Sequence, residues 1–301
     1  MTPRPRIAFM IPHFFGGTDP RSIHGAGRPQ ARAIRQAIFD RVIFQIHALF
    51  GPTHHALNIL LSQFNGPENV SRLATYPCEN LYRLDFDLFV FTTQGQHLLD
   101  GLQCPPNYYR HVETGAEPPF LGFECARWMR DHPGYDLYCY LEDDIILRDP
   151  LFFAKIAHFN QTFDADNRGL LLMPQPYEEP MNAGDPQDMS RMTRLYVNYQ
   201  SQETPSFSGE NLVMDFAGLR VTLEPALNPH GCMYVLTPGQ AARVVRHPDF
   251  LDKTKIHSDP GDTAGSGFVM RALKIYKPAK NSLSFLEVQH GHQSILRLRF
   301  E

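Results

Sequence analysis

The sequence predicts an α/β protein: a mainly parallel sheet with helices on both faces. Three observations predict it. Short apolar runs of strand length recur along the chain, helix-length segments with apolar residues three or four apart separate them, and the runs end at Pro, Gly or acidic residues. Strands alternating with helices favour parallel pairing, and in such sheets ligands bind at the carboxyl ends of the strands.

Ile7 to Ile11 is a buried-strand pattern ended by Pro12, and the Gly-rich, basic stretch from Gly16 to Arg28 has no helical period and reads as a loop. From Pro29 onward Ile34, Ile38, Val42 and Ile46 predict a helix with one apolar face, stopped by Gly51-Pro52. Phe86 to Phe91 is a second strand, Phe120 to Met129 a helix, and Leu137 to Leu141 a third strand that runs into Glu142-Asp143-Asp144. Pro150 then opens a helix from Leu151 to Phe159, with Phe152, Phe153, Ile156 and Phe159 on one face. Gly169 to Met173 is a fourth strand. Residues 174–209, rich in Pro, Gln, Met, Asn and Ser, read as a long loop, either a lid or an insertion facing an acceptor. His230 to Thr237 is strand-like, Pro238 starts a helix through Val245, and the loop His257 to Gly267 precedes a short helix from Phe268 to Leu273. No linker splits the chain, which predicts one domain over residues 1–301.

The chain has 301 residues and a formal net charge of −4, with no Lys/Arg-rich block to grip a phosphate backbone, which argues against nucleic-acid binding. Apolar runs are interrupted by Asp or Glu well before the ~18 residues that a membrane span needs. The expectation is a soluble protein, with peripheral membrane contact left open. The N-terminus lacks a signal-peptide pattern, and the five cysteines are widely spaced without a Cys-x-x-Cys pair, so a reducing cytoplasm is the expected location.

Three consecutive carboxylates at the end of a buried strand raise each other's pKa unless a cation or a set of donors compensates them. Oxygen ligands suit Mg²⁺ or Mn²⁺, which bind through one or two carboxylates while a substrate's phosphates complete the shell. A solvated turn with one Asp capping a helix is the alternative. Near the C-terminus, His290 and His292 stand two apart and point the same way if extended, so either can join a metal or be held by hydrogen bonds. The loop Asp259 to Gly267 is Gly-rich, carries Asp259 and Asp262 and opens a helix. One of these acids can serve as a base toward an acceptor hydroxyl or simply cap the helix.

Tyr140-Leu141-Glu142-Asp143-Asp144-Ile145 resembles the Asp-x-Asp motif of GT-A-fold glycosyltransferases, in its Glu-Asp-Asp variant. The order of features around it is similar too: a strand and loop before it, a Gly-containing strand and helix (Gly231 to Val245) after it, then an acid-bearing loop and a late histidine. The resemblance implies a GT-A-like, Rossmann-like fold and a metal-dependent transfer of a sugar from a nucleotide-sugar donor to a hydroxyl of a carbohydrate or glycolipid, such as a surface polysaccharide or glycoconjugate. It implies Asp144 as principal ligand of Mn²⁺ or Mg²⁺, helped by Glu142 and joined by His290 or His292. Donor contacts fall at Ile11, Pro12, His13, Glu142, Asp143 and Gly231, and the base is Asp262, with Asp259 beside it. The physical reason for the metal is that a departing nucleoside diphosphate carries negative charge, which a divalent ion stabilises.

Other readings stay open. Ile11-Pro12-His13-Phe14-Phe15-Gly16-Gly17 also looks like the Gly-rich N-terminal loop of GT-B transferases, a fold of two similar halves that needs no metal. A nucleotide- or carbohydrate-binding protein of the same fold would differ only in lacking turnover. A metal-dependent phosphohydrolase would carry Asp and His ligands at several early strand ends, whereas the acids here cluster once.

Overall fold

The computed structural model describes residues 4–16, 29–57, 75–179, 194–197, 209–226 and 229–292. Along the chain the strands are β1 (Arg6–Pro12), β2 (Thr53–Leu57), β3 (Thr75–Glu79), β4 (Asp85–Thr93), β5 (Arg110–Thr114), β6 (Leu137–Leu141), β7 (Ile145–Ile146), β8 (Leu170–Leu172), β9 (Gln175–Glu178), β10 (Leu195–Tyr196), β11 (Leu212–Phe216), β12 (Leu219–Pro225), β13 (Met233–Leu236), β14 (Lys274–Pro278) and β15 (Glu287–His290). The longer helices are α1 (Arg32–Phe50), α2 (Leu121–Asp131), α3 (Phe152–Phe163) and α4 (Pro238–Val245). A late helical segment follows, made of α5 (Pro260–Asp262), a π-helical turn (Thr263–Gly267) and α6 (Phe268–Ala272).

The central sheet has the order β13-β6-β1-β4-β5. β1 pairs in parallel with β4 and β6, β4 in parallel with β5, and β13 runs antiparallel to β6. The alternation of β1 explains how both faces are buried. Ile7, Phe9 and Ile11 enter one core with Phe39, Ile43, Phe153 and Ile156 of α1 and α3. Ala8 and Met10 enter the other with Phe123 and Ala126 of α2, Val244 of α4 and Phe268 of α6. The α/β class with a mainly parallel sheet is therefore observed for the central unit. A second parallel sheet of this size, which a two-halved fold requires, is not present among the described residues.

Several elements differ from their sequence patterns. Ile34 is 49% exposed, and the buried face of α1 is Arg35, Phe39, Val42, Ile43, Ile46 and Phe50. A strict four-residue step drifts by about 40° per step around a helix of 3.6 residues per turn, so the predicted line of isoleucines slides off the face that packs. The fourth predicted strand, β8, leaves the central sheet and pairs with β14 in a sheet of order β11-β12-β14-β8. The stretch predicted as a long loop over 174–209 contains the buried strand β9 and the short β10; its parts at 180–193 and 198–208 lie outside the described residues. The loop predicted over His257 to Gly267 is helical from Pro260 onward.

A third sheet, β10-β9-β15-β7, matters most for the site. β15 runs parallel to β9 and antiparallel to β7, and its register sets His290 opposite Ile145. Gly291 N–H donates to the Asp144 carbonyl at 2.8 Å, which fixes the C-terminal strand against the acidic turn.

Candidate active site at the carboxyl end of the central sheet

The three acids follow β6 in a tight turn. Glu142 N–H donates to the Cys232 carbonyl at 3.0 Å and Ile145 N–H to the Glu142 carbonyl at 3.1 Å. Asp143 and Asp144 are buried there. Arg35 reaches in from α1, donating from Nη2 to Asp143 Oδ1 at 2.5 Å and from Nη1 to Asp144 Oδ2 at 3.2 Å. His13 supports the other oxygen of Asp143: Leu98 N–H donates to its Nε2 at 3.0 Å, so Nδ1 carries the proton and donates to Asp143 Oδ2 at 2.6 Å. The ring stacks on Phe39 at 4.1 Å between centroids and is 0% exposed. Burial opposes ionisation of Asp143, but Arg35 and His13 outweigh it and hold the carboxyl below its ordinary range.

Asp144 faces a different set of partners. His290 Nδ1 is 2.8 Å from Glu178 Oε1, and its Nε2 is 3.4 Å from Asp144 Oδ2. Burial works against the imidazolium, yet Asp144 and Glu178 push His290 up to about 10. Burial likewise opposes charge on Asp144, and His290 with Arg35 overcomes it, so the carboxyl lies well below the usual range. Its second oxygen, Oδ1, is buried and has no hydrogen-bond partner among the described residues. Glu142 is the odd one of the three: burial and then repulsion from Asp144 raise it to about 7.

The facing wall comes from the segment before β13 and from the start of the late helical segment. The Asp262 carboxylate is paired with His230 Nδ1, and His230 Nε2 lies 3.7 Å from Cys232 Sγ. Burial opposes charge on both members of this pair, yet Asp262 raises His230 and His230 lowers Asp262 from their ordinary ranges. Cys232 takes a positive φ of 54°, which turns the chain sharply between His230 and β13. Lys277 Nζ donates to the His230 carbonyl at 3.0 Å from beneath. Asp259 accepts from Asp262 N–H at 2.8 Å and so caps the segment, while Asp262, one turn on, points its carboxylate at His230.

These two walls enclose a cavity of about 320 Å³, lined by Pro12, Arg35, the three acids, His230, Cys232, Asp259, Gly261, Asp262, His290 and His292. Another cavity, of about 350 Å³, sits at the amino ends of β1 and β4. There Arg6 pairs with Asp87 and Arg83 with Asp85.

The fold thus brings Pro12, Glu142, Asp143, Asp144, Asp259, Asp262, His290 and His292 to one cavity although they span most of the chain. Three expected donor contacts are placed elsewhere. Ile11 is wholly buried in the core, and Gly231 is buried against Met173, where a Cβ would come within 2.7 Å of its Cε. His13 stands behind Asp143 as a buttress instead of facing the cavity. Residues 17–28 of the Gly-rich, basic stretch, with Arg21 and Arg28, lie outside the described residues. Arg35, Glu178, His230 and Lys277 were not singled out by the sequence patterns. Arg35 had a readable signal, a charge set four and seven residues before Phe39 and Val42 on the buried stripe of α1. Its guanidinium, with the imidazoles of His13 and His290, supplies part of the compensation that the neighbouring carboxylates require.

No protein-family model matches the chain, and no curated protein matches it in sequence. Solved structures align with it at low identity. UTP-bound UGPase from Acinetobacter baumannii aligns at 8% identity and TM-score 0.43, over 97% of this chain and 90% of that one. A protein described as a nucleotide-diphospho-sugar transferase from Desulfovibrio desulfuricans G20 aligns at 11% identity and TM-score 0.37, over 90% and 78%. The bifunctional IspDF from Campylobacter jejuni aligns at 7% identity and TM-score 0.36 over 90% of this chain, which spans about half the length of that protein, 49%.

Proposed function

We propose that the chain is a metal-dependent glycosyltransferase that moves a sugar from a nucleotide-diphosphate donor to a hydroxyl of a carbohydrate or glycolipid. The observation that carries this reading is Asp144: a buried carboxylate on the cavity wall, one oxygen without a partner among the described residues, beside an imidazole whose far nitrogen is held by Glu178. Metal-ligating histidines characteristically give the outer N–H to a carboxylate, as His290 does to Glu178, and the other nitrogen of His290 faces the cavity's Asp144. The residues present therefore fit a hard divalent ion, with Asp144 and His290 as protein ligands and Glu142 or His292 within the same cavity. When bound, Mn²⁺ or Mg²⁺ would stabilise the charge that develops on the departing diphosphate.

The chain's own residues divide the remaining work. Arg35 and His13 lock the acidic turn in one geometry, leaving Asp143 as part of the scaffold. The Asp262 carboxylate, held by His230 across the cavity, would take the proton of the acceptor hydroxyl as its oxygen bonds to the anomeric carbon and the bond to the diphosphate oxygen breaks. The experiment is a panel of nucleotide-sugars with Mn²⁺ or EDTA, scoring thermal midpoint and release of nucleoside diphosphate. Manganese and one donor together should raise the midpoint and support turnover, and Asp144→Asn should abolish both. Retention of either in that variant would refute the assignment.

A further inference from the structure

The edge of the central sheet carries a second set of metal-binding side chains, apart from the acidic turn. β4 and β5 pair with Val90 opposite His111 and Thr92 opposite Glu113, so His111 and Glu113, two apart on an edge strand, project to the same side. Beyond β4, Gln94 and Gly95 take positive φ values of 57° and 63° and turn the chain back, bringing His97 over β5. The His97 and His111 rings then lie 5.3 Å apart, nearly perpendicular. One ligand atom from each of His97, His111 and Glu113 falls within 4.8 Å of the other two. The Glu113 carboxylate is aimed from two sides. Gly95 N–H donates to its Oε1 at 3.1 Å, and Thr92 Oγ1 donates to its Oε2 while lying 2.6 Å from His111 Nε2.

We propose that His97, His111 and Glu113 bind a divalent transition-metal ion of the zinc type. Two imidazoles and one carboxylate are a ligand set such ions take, with water completing the shell, and they are poorly suited to Mg²⁺ or Ca²⁺, which prefer all-oxygen surroundings. Ligand bonds of about 2.0–2.2 Å set neighbouring ligand atoms roughly 3.4 Å apart, so a cluster already within 4.8 Å needs only side-chain rotation to close on an ion. His111 and Glu113 are exposed, which leaves them room to do so. The ion would also fix the loop over residues 94–98, whose Leu98 N–H holds His13 against Asp143. It would thereby tie the sheet edge to the acidic turn without entering the cavity.

Calorimetric titration of the chelator-stripped chain with Zn²⁺ tests this, with Co²⁺ titrations read by visible absorption to report imidazole ligation. Wild type and Asp144→Asn should both bind Zn²⁺ at this site and gain thermal midpoint. His111→Gln and His97→Gln should each weaken binding by more than about 10-fold, the lower range for loss of even an outer partner of a metal ligand. Because His111 is exposed, melting of the metal-free His111→Gln variant should match wild type, which separates lost ligation from lost folding. The proposal is overturned if wild type takes up no Zn²⁺ at this site, if both His variants bind as wild type does, or if Asp144→Asn alone removes binding. In that last outcome the ion belongs to the acidic turn, and the reading of Asp144 survives while this one does not.

Discussion

Arg35 joins two neighbouring carboxylates that would otherwise repel each other in a buried turn. Removing one partner of such a buried network leaves charge without compensation, which costs about 3–5 kcal/mol. Arg35→Met should lower unfolding free energy by that amount in urea titrations, and a loss below ~1 kcal/mol would show that His13 and His290 suffice. Lys277 makes the opposite case. It is 2% exposed and burial depresses its ammonium from 10.5 to about 8, so below pH 8 the folded chain carries a charge it holds at a cost. Between pH 8 and 10.5 the unfolded chain binds the proton that the folded chain has released, and stability therefore rises with pH across that window. Lys277→Met should flatten the rise. It should also add about 1–3 kcal/mol at pH 7, the gain being reduced by the hydrogen bond lost to the His230 carbonyl. Chemical denaturation at a series of pH values checks both.

At the scale of elements, two contacts decide how the late helices meet the sheet. Thr237 closes a capping box on α4, its side chain accepting from Gln240 N–H and its own N–H donating back to the Gln240 side chain. Thr237→Ala should cost about 1 kcal/mol, read as a lower urea midpoint with an unchanged m-value. Gly122 lets α2 approach the π-helical turn: a Cβ there would meet Ala264 Cβ at 2.5 Å and Tyr140 Oη at 3.1 Å. Gly122→Ala should destabilise by about 1–3 kcal/mol through overpacking, despite the better helix propensity of Ala, and a stabilised variant would show that the two helices can move apart. The capping box is legible in sequence, because Thr-Pro-Gly-Gln needs only local geometry. The close approach of α2 is not, because nothing near Gly122 in the chain indicates that Ala264 lies against it.

For the molecule as a whole, both core layers share the central sheet, so neither face can unfold while the other stays packed. Trp128, the single tryptophan, sits on α2 against Phe89 at 4.2 Å between centroids. Its fluorescence and the far-ultraviolet dichroism should therefore report one coincident urea transition. Separate midpoints would show that the sheets β11-β12-β14-β8 and β10-β9-β15-β7 melt on their own. Within this framework the sequence determined what depends on near neighbours. Apolar periodicity located β1, β4, β6, α3 and α4, and the break from strand to acids located the turn, since burial patterns and strand ends are local properties of a chain. Tertiary structure alone decided that β8 would leave the central sheet, that α1 would turn Arg35 inward, and that Glu178, His230 and Lys277 would join the cavity's surroundings. Those outcomes rest on pairing register and on charge compensation between residues up to 146 positions apart, as Asp144 and His290 are, and such terms have no counterpart in any short stretch of sequence.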